Sequence, residues 1–358
     1  RVVLVADIDR GGVFAQIIGT LDLIAPEERD RVCGIVINKF RGDAALFADG
    51  VRFLTERTGI PVLGVLPFLR DLALDQEDSL DVDIRRQVAF QRDCINLAVI
   101  LLPHMSNFTD FNALAGEPDV ALRYAATPEE AAGADAILLP GSKTTLADLS
   151  YLRGKGFESL LHGHVHRGGE VVGICGGYQM LGRRIADPDA VESGGSGEGL
   201  GLLQVTTVLM REKITEQVEG RALYLGGPAA PPVRGYLIHM GRTDRHGHRA
   251  CFELQGKEPS PAGPRDVTER DDAWLDGAMS DDGLVWGTYI HGLFDEPLCR
   301  RAWLNWLRIR KGLPAADMAL SQQVNRQRSG AMDRWADHVE QHLDLTPILA
   351  LLRQGGTV

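Results

Sequence analysis

The sequence predicts an α/β protein carrying two doubly wound, mostly parallel sheets. Two observations predict it. Strand-length apolar runs alternate with helix-length segments along most of the 358 residues, the pattern of parallel sheets with helices on their faces. The series is interrupted once, by polar sequence at 71–83 and a charged segment at 84–92. Taking the elements in order, VVLVA at 2–6 is a Val-rich run expected of a strand buried on both faces. The loop Asp7-Ile8-Asp9-Arg10-Gly11-Gly12 leads into a helix ending near Leu23. The unit repeats as a strand at 32–37 with Asn38-Lys39 at its carboxyl end, a helix near 44–58 and a strand at 61–66.

Strand pattern resumes at 95, so a domain boundary is expected near residue 94. Runs at 95–102, 120–124, 136–139 and 171–174 form the second series. After Gly182 the texture changes. A Gly-rich loop is expected at 194–201, and shorter runs at 203–209, 235–240 and 284–290 read as the remaining strands of the same domain. The Pro/Gly-rich stretches 226–233 and 259–264 read as surface loops. Helices are expected at 297–310 and about 329–352.

At about 150 residues per domain, this length suits two domains with separate cores. Hydrophobic residues make up 44% and charged residues 24%, which excludes a disordered chain. A net charge of −11 disfavours nucleic-acid and anionic-membrane partners, though not a local basic pocket. No apolar run reaches the roughly 18 residues that span a bilayer. The five cysteines form no CxxC pair and suit a reducing cytoplasm rather than a disulfide framework. The chain opens at Arg1 directly on a strand with no signal-peptide layout, and the expectation is that its natural beginning is missing.

The sharpest chemical feature is Gly173-Ile174-Cys175-Gly176-Gly177-Tyr178-Gln179, a buried strand ending in a cysteine, two glycines and an apolar helix. This is the layout of a nucleophile elbow. It seats the Cys175 sulfur at a helix N-terminus, where the thiolate is favoured, and aims the Gly176 N–H, beside Gly177, toward a developing oxyanion. The plain alternative is a buried cysteine in a tight turn. A cysteine nucleophile needs a base, and His291 in GTYIHGLF at 287–294 stands at the end of the last apolar strand. Gly141, in LPGSKTT at 139–145, offers a second oxyanion N–H at another strand end. Asp7 and Asp9 at the first strand end could hold Mg²⁺, the alternative being an Asp9–Arg10 ion pair with an Asp cap. His162, His164 and His166, spaced by two, read as a helix end rather than a metal site.

These segments, together with DIDRGGVFA at 7–15, NKFRGD at 38–43, GVLPF at 64–68, SNFTDF at 106–111 and HMGR at 239–242, resemble the cobyric acid synthases, a family of class I glutamine amidotransferases. The likeness runs along essentially the whole chain. It implies a glutamine-dependent, ATP-using ligase of the cobalamin pathway. Such an enzyme amidates the b, d, e and g carboxylates of adenosylcobyrinic acid a,c-diamide to give adenosylcobyric acid. Cys175 and His291 take the catalytic roles; glutamine and a corrinoid are the partners. The implied fold is the remainder of a dethiobiotin-synthetase-like P-loop domain (1–93) followed by an amidotransferase domain with C-terminal helices (94–358). No GxxxxGK[ST] loop occurs in the sequence; the family carries it upstream of the strand that opens this chain, so ATP and Mg²⁺ belong to the full-length enzyme and neither is expected to bind this chain tightly.

Arg10, Asn38, Lys39 and Arg41, with Asp7 and Asp9, are the synthetase-site candidates, and the cations among them suit a polycarboxylate. The chain departs from the family at Leu237, where the family shows Glu, and at His104, where it shows Arg. His291-Gly292-Leu293 also lacks the His-x-Glu of commoner amidotransferases, so a Cys–His dyad is expected, with no acidic orienter visible. Alternative readings are a related amidotransferase with another acceptor (cobyrinic acid a,c-diamide synthase or a cell-wall ligase subunit), or a non-catalytic binding protein with a decayed synthetase half.

Overall fold

The structure, a computed structural model, describes residues 1–69, 72, 86–226, 229–256 and 273–354; the expected loop at 259–264 lies outside them. The chain divides into two compact units, Arg1–Leu74 with Gln327–Val358, and Asp75–Arg326.

The first unit holds a parallel sheet β1 (Val2–Asp7), β2 (Val32–Phe40) and β3 (Val62–Pro67) in that order. On one face α1 (Val13–Leu23) and α2 (Ala48–Thr58) bring Ile17, Leu21 and Leu54 against Ala6, Ile35 and Ile37. The other face, Val36, Leu63 and Leu66, is covered by Trp335, Val339, Leu343 and Ile348. The sequence division at 93/94 assigned those four residues to the second domain, whereas by contacts they group with the first sheet. The expected helix at 329–352 is two helices, Ala319–His342 and Thr346–Gln354. Pro347 cannot continue a helix begun upstream. The break is used: Asp344 N donates to Leu63 O (2.8 Å) and Asp344 Oδ1 accepts from Thr346 N (3.0 Å).

The second unit is organised by six strands: β4 (Ile95–Ile100), β5 (Val120–Ala125), β6 (Ala136–Leu139), β7 (Glu170–Ile174), β8 (Ala278–Met279) and β9 (Val285–Thr288), in the order β8-β9-β7-β6-β4-β5. All pairs are parallel except β8 with β9. Every residue of β4, β6, β7 and β9 is buried, which explains why these strands are largely apolar. Of the later runs, 284–290 supplies β9, whereas those at 203–209 and 235–240 do not join this sheet. They build a second, seven-stranded sheet around the hairpin Thr206–Ala222 and Pro232–Asp244, in which the expected loop at 194–201 contains a short strand, Gly195–Glu198, paired with Arg184–Asp187. The hairpin extends well beyond the apolar runs at 203–209 and 235–240. Between Val208 and Val218 most residues face solvent, so the strand carries polar residues that hide it.

Candidate active site

Cys175 follows β7 directly and is the N-cap of α3 (Gly176–Leu181), with φ 52° and ψ −109°. A non-glycine residue pays about 1–3 kcal/mol for such a conformation; it persists here because the surroundings fix it. A Cβ on Gly177 would lie 2.1 Å from the Leu139 carbonyl oxygen, and one on Gly173 would lie 2.6 Å from the Gly177 carbonyl carbon. Only glycine lets these backbones approach. Cys175 N donates to Thr288 O (2.8 Å), and Gln179 N donates to Cys175 O (3.1 Å). The first bond ties the elbow to the end of β9, three residues before His291.

His291 lies in the two-residue strand Ile290–His291, which leaves the parallel sheet to pair with Tyr236 and Leu237 of the second sheet. Its imidazole is 1% exposed and near enough to Cys175 for that side chain to act on its protonation, while the thiol itself donates to Ile238 O (3.8 Å). At Nδ1 it meets Asp110 Oδ2 at 2.7 Å, while Asp110 Oδ1 accepts from Gly292 N at 2.9 Å. Asp110 is 5% exposed and sits in the 3₁₀ turn Phe108–Phe111 beyond the carboxyl end of β4. Burial alone would lower the imidazole pKa, but the hydrogen bond to Asp110 and the neighbouring Cys175 raise it to about 10. Three strand ends thus bring together a thiol at a helix N-terminus, an imidazole beside it, and a buried carboxylate that orients the imidazole. That set can deliver a sulfur nucleophile and move a proton.

The other expected oxyanion group also reaches this place. Gly141 and Ser142 pair with Ser106 and Met105 in a short two-stranded ribbon. A Cβ on Gly176 would lie 2.8 Å from Ser142 N, and one on Gly141 would lie 3.5 Å from His291 Cε1, so the ribbon packs directly on the elbow. Asp148 holds the ribbon from behind, accepting from Ser142 Oγ (2.6 Å) and bonding His104 Nδ1 (2.9 Å). His104 therefore has a local structural task. Beyond the elbow, Tyr178, Leu237, His239, Arg242, Asp276 and Tyr289 help line a cavity of about 680 Å³.

The synthetase-site candidates all lie in the first unit. Lys39 Nζ donates to Asp7 Oδ2 (2.8 Å), and Arg41 Nε and Nη2 donate to the two oxygens of Asp9 (2.9 and 3.0 Å). These hydrogen bonds hold both carboxyls below their ordinary range. The alternative Asp9–Arg10 pair is not what forms: Asp9 takes Arg41, Arg10 is 3.9 Å from Asp7, and Asp7 caps the following turn by accepting from Asp9 N. Asn38 Oδ1 accepts from Lys39 N (2.9 Å), and Arg41 lies 3.7 Å over the Phe68 ring. Among the described residues no group of three or more His, Cys, Asp or Glu side chains is arranged to hold a metal ion, and no helix is long and apolar enough to cross a membrane. His162 bonds Leu200 O (2.9 Å), and His162, His164 and His166 all lie on the helix Phe157–His166.

Residues 96–298 match the CobB/CobQ-like glutamine amidotransferase domain, and residues 1–76 match an AAA domain. The cobyric acid synthase of Citrobacter koseri is 46% identical over 362 residues, spanning 99% of this chain and 68% of that protein. That of Klebsiella pneumoniae subsp. pneumoniae is 46% identical with the same spans. The chain belongs to the cobyric acid synthase family. Membership makes it a glutamine-dependent amidating ligase of cobalamin biosynthesis. Among solved structures, PurLQS from Thermotoga maritima aligns at 16% identity and a TM-score of 0.40, covering 66% of this chain and 98% of that one.

In this member of the cobyric acid synthase family, sequence reasoning missed Asp110. It lies 181 positions from His291, not two positions after it as in His-x-Glu. The available signal was its place in SNFTDF, a polar–aromatic turn just beyond a buried strand that points to the same sheet edge as Cys175.

Proposed function

We propose that this chain hydrolyses glutamine at Cys175 and that the ammonia amidates the b, d, e and g carboxylates of adenosylcobyrinic acid a,c-diamide in an ATP-dependent reaction. The observation that carries the reading is the buried Asp110–His291 pair set beside Cys175 at the strained elbow. In the first half-reaction the Cys175 thiolate attacks the glutamine carboxamide carbon. His291, oriented by Asp110, protonates the nitrogen as the C–N bond breaks and ammonia departs, leaving a thioester. In the second, His291 takes a proton from water, the hydroxide attacks the thioester carbonyl, and glutamate leaves as the thiolate is restored. The N–H groups of Gly176, Gly177 and Gly141 are the candidates to meet the oxyanion in both steps.

For the ATP half, Mg²⁺ commonly takes one or two carboxylates and completes its shell with water and phosphate. Asp7 fits that demand at a strand's carboxyl end, with Arg10, Lys39 and Arg41 supplying positive charge for phosphates or for the substrate's carboxylates, and Asn38 fixing the Lys39 backbone. The nucleotide would supply the activation of the acceptor carboxylate. Amide-¹⁵N glutamine tests the reading. Glutamate release by this chain, lost in Cys175→Ser, with ¹⁵N found in corrinoid amides when ATP is present in the full-length enzyme, is the expected result. Glutamate release that survives Cys175→Ser would overturn it.

A further inference from the structure

A single hydrogen bond fixes a direction but not the plane of the ring that makes it. Asp110 bonds His291 only at Nδ1, and that bond leaves the imidazole free to tilt about the Nδ1–carboxylate axis. A second group removes the freedom. Tyr236, which faces His291 across the strand pair, stacks its ring on the imidazole with centroids 5.4 Å apart and planes 24° from parallel. Tyr236 is itself 36% exposed, and a phenol at that exposure would swing unless held. Its hydroxyl accepts from Asn107 Nδ2 at 2.8 Å. Asn107 adopts φ 55° and ψ 51° and caps the same 3₁₀ turn that carries Asp110. One turn therefore grips the imidazole twice, at its edge through Asp110 and at its face through Asn107 and Tyr236. Gly141 lies at the Cε1 side, where even a methyl would come to 3.5 Å.

We propose that Tyr236, locked by Asn107, is a positioning residue that sets the plane of the His291 imidazole and closes its face to solvent, so that its second nitrogen stays aimed at the Cys175 sulfur. This rests on the reading of Cys175 and His291 as the reacting pair. The stack is the part that matters most, because it covers the ring; the Asn107 bond steadies the cover. The ring's exposed outer face needs no substrate contact for this task, so the effect falls on the chemical step and on the thiol's reactivity without glutamine.

Glutaminase kinetics on the 358-residue chain, with the rate of Cys175 alkylation by iodoacetamide followed against pH, separate the possibilities. Tyr236→Leu is expected to lower kcat about tenfold or more, to change KM for glutamine less than about twofold, and to move the onset of alkylation to higher pH. Tyr236→Phe, which keeps the stack, and Asn107→Ala are each expected to cost about threefold, the worth of one hydrogen bond. The double variant is expected to be no worse than either single one, because both remove the same bond. A Tyr236→Leu variant that raises only KM, or that leaves both kcat and the alkylation profile unchanged, would overturn the proposal, as would additive losses in the double variant. Cys175→Ala and His291→Ala are measured alongside; activity surviving in either sinks the reading of the reacting pair itself, whatever Tyr236 does.

Discussion

The two units each place a carboxylate against a cationic or protonatable group at nearly the same distance, 2.7 Å for His291 with Asp110 and 2.8 Å for Lys39 with Asp7. Their surroundings differ. The His291 and Asp110 side chains are 1% and 5% exposed, whereas Lys39 and Asp7 are 46% and 26% exposed. In the first case water cannot replace either partner, so the pair fixes an orientation and raises the imidazole pKa. In the second, solvent screens the charges and the pairing is readily exchanged. The buried pair therefore suits proton transfer at one geometry, and the exposed cluster suits a charged ligand that arrives and displaces existing contacts.

The largest effects are expected where the burial is deepest. Cys175→Ala should abolish glutamate release, and His291→Ala should lower it by a factor on the order of 10² or more, since positioned acid–base catalysis is worth that much. Steady-state glutamate assays check both. Asp110→Asn is expected to cost about 10²-fold or more in kcat as well, because the imidazole loses the partner that sets its tautomer. This variant also has a pH signature. The His291 pKa stands at about 10 against an ordinary 6.5, so its contribution to stability is fully present below about pH 6.5 and is lost as pH rises through about 10. Thermal melts at pH 6 and pH 10 should show a smaller loss in Asp110→Asn than in the parent.

How much of this was legible follows from where each residue's signal lies. The elbow is local: strand, cysteine, glycines and helix adjoin in sequence, and the close approaches at Gly173 and Gly177 explain why the pattern is so specific. His291 could be read from its place at a strand end. Asp110 could not be assigned a partner, because the contact to His291 depends on which strand ends become neighbours in the folded sheet. The same limit hid the long hairpin, whose exposed stretch 210–213 reads as polar loop. It also hid the return to the first sheet of Trp335 and Val339, sparse apolar residues in a mostly polar helix, and of Leu343 just beyond it.

Smaller effects sharpen the contrast between the units. Gly177→Ala pushes a methyl to within 2.1 Å of the Leu139 carbonyl oxygen and should cost about 1–3 kcal/mol through overpacking, read as a lower melting temperature together with reduced glutaminase activity. Asp9→Asn breaks the exposed contact with Arg41 and should leave both the melting temperature and glutamate release unchanged within error. A clear loss of stability in Asp9→Asn would mean that the first unit's charges are structural after all.

The central claim is that Cys175 is the nucleophile of glutamine hydrolysis, and site mapping of a glutamine-analogue chloroketone tests it most directly. Mass spectrometry after limiting exposure should find the label on Cys175 before any other thiol, with protection by glutamine and strongly slowed labelling in His291→Ala. Label appearing first on Cys33, Cys94, Cys251 or Cys299, with Cys175 unmodified, would contradict the account.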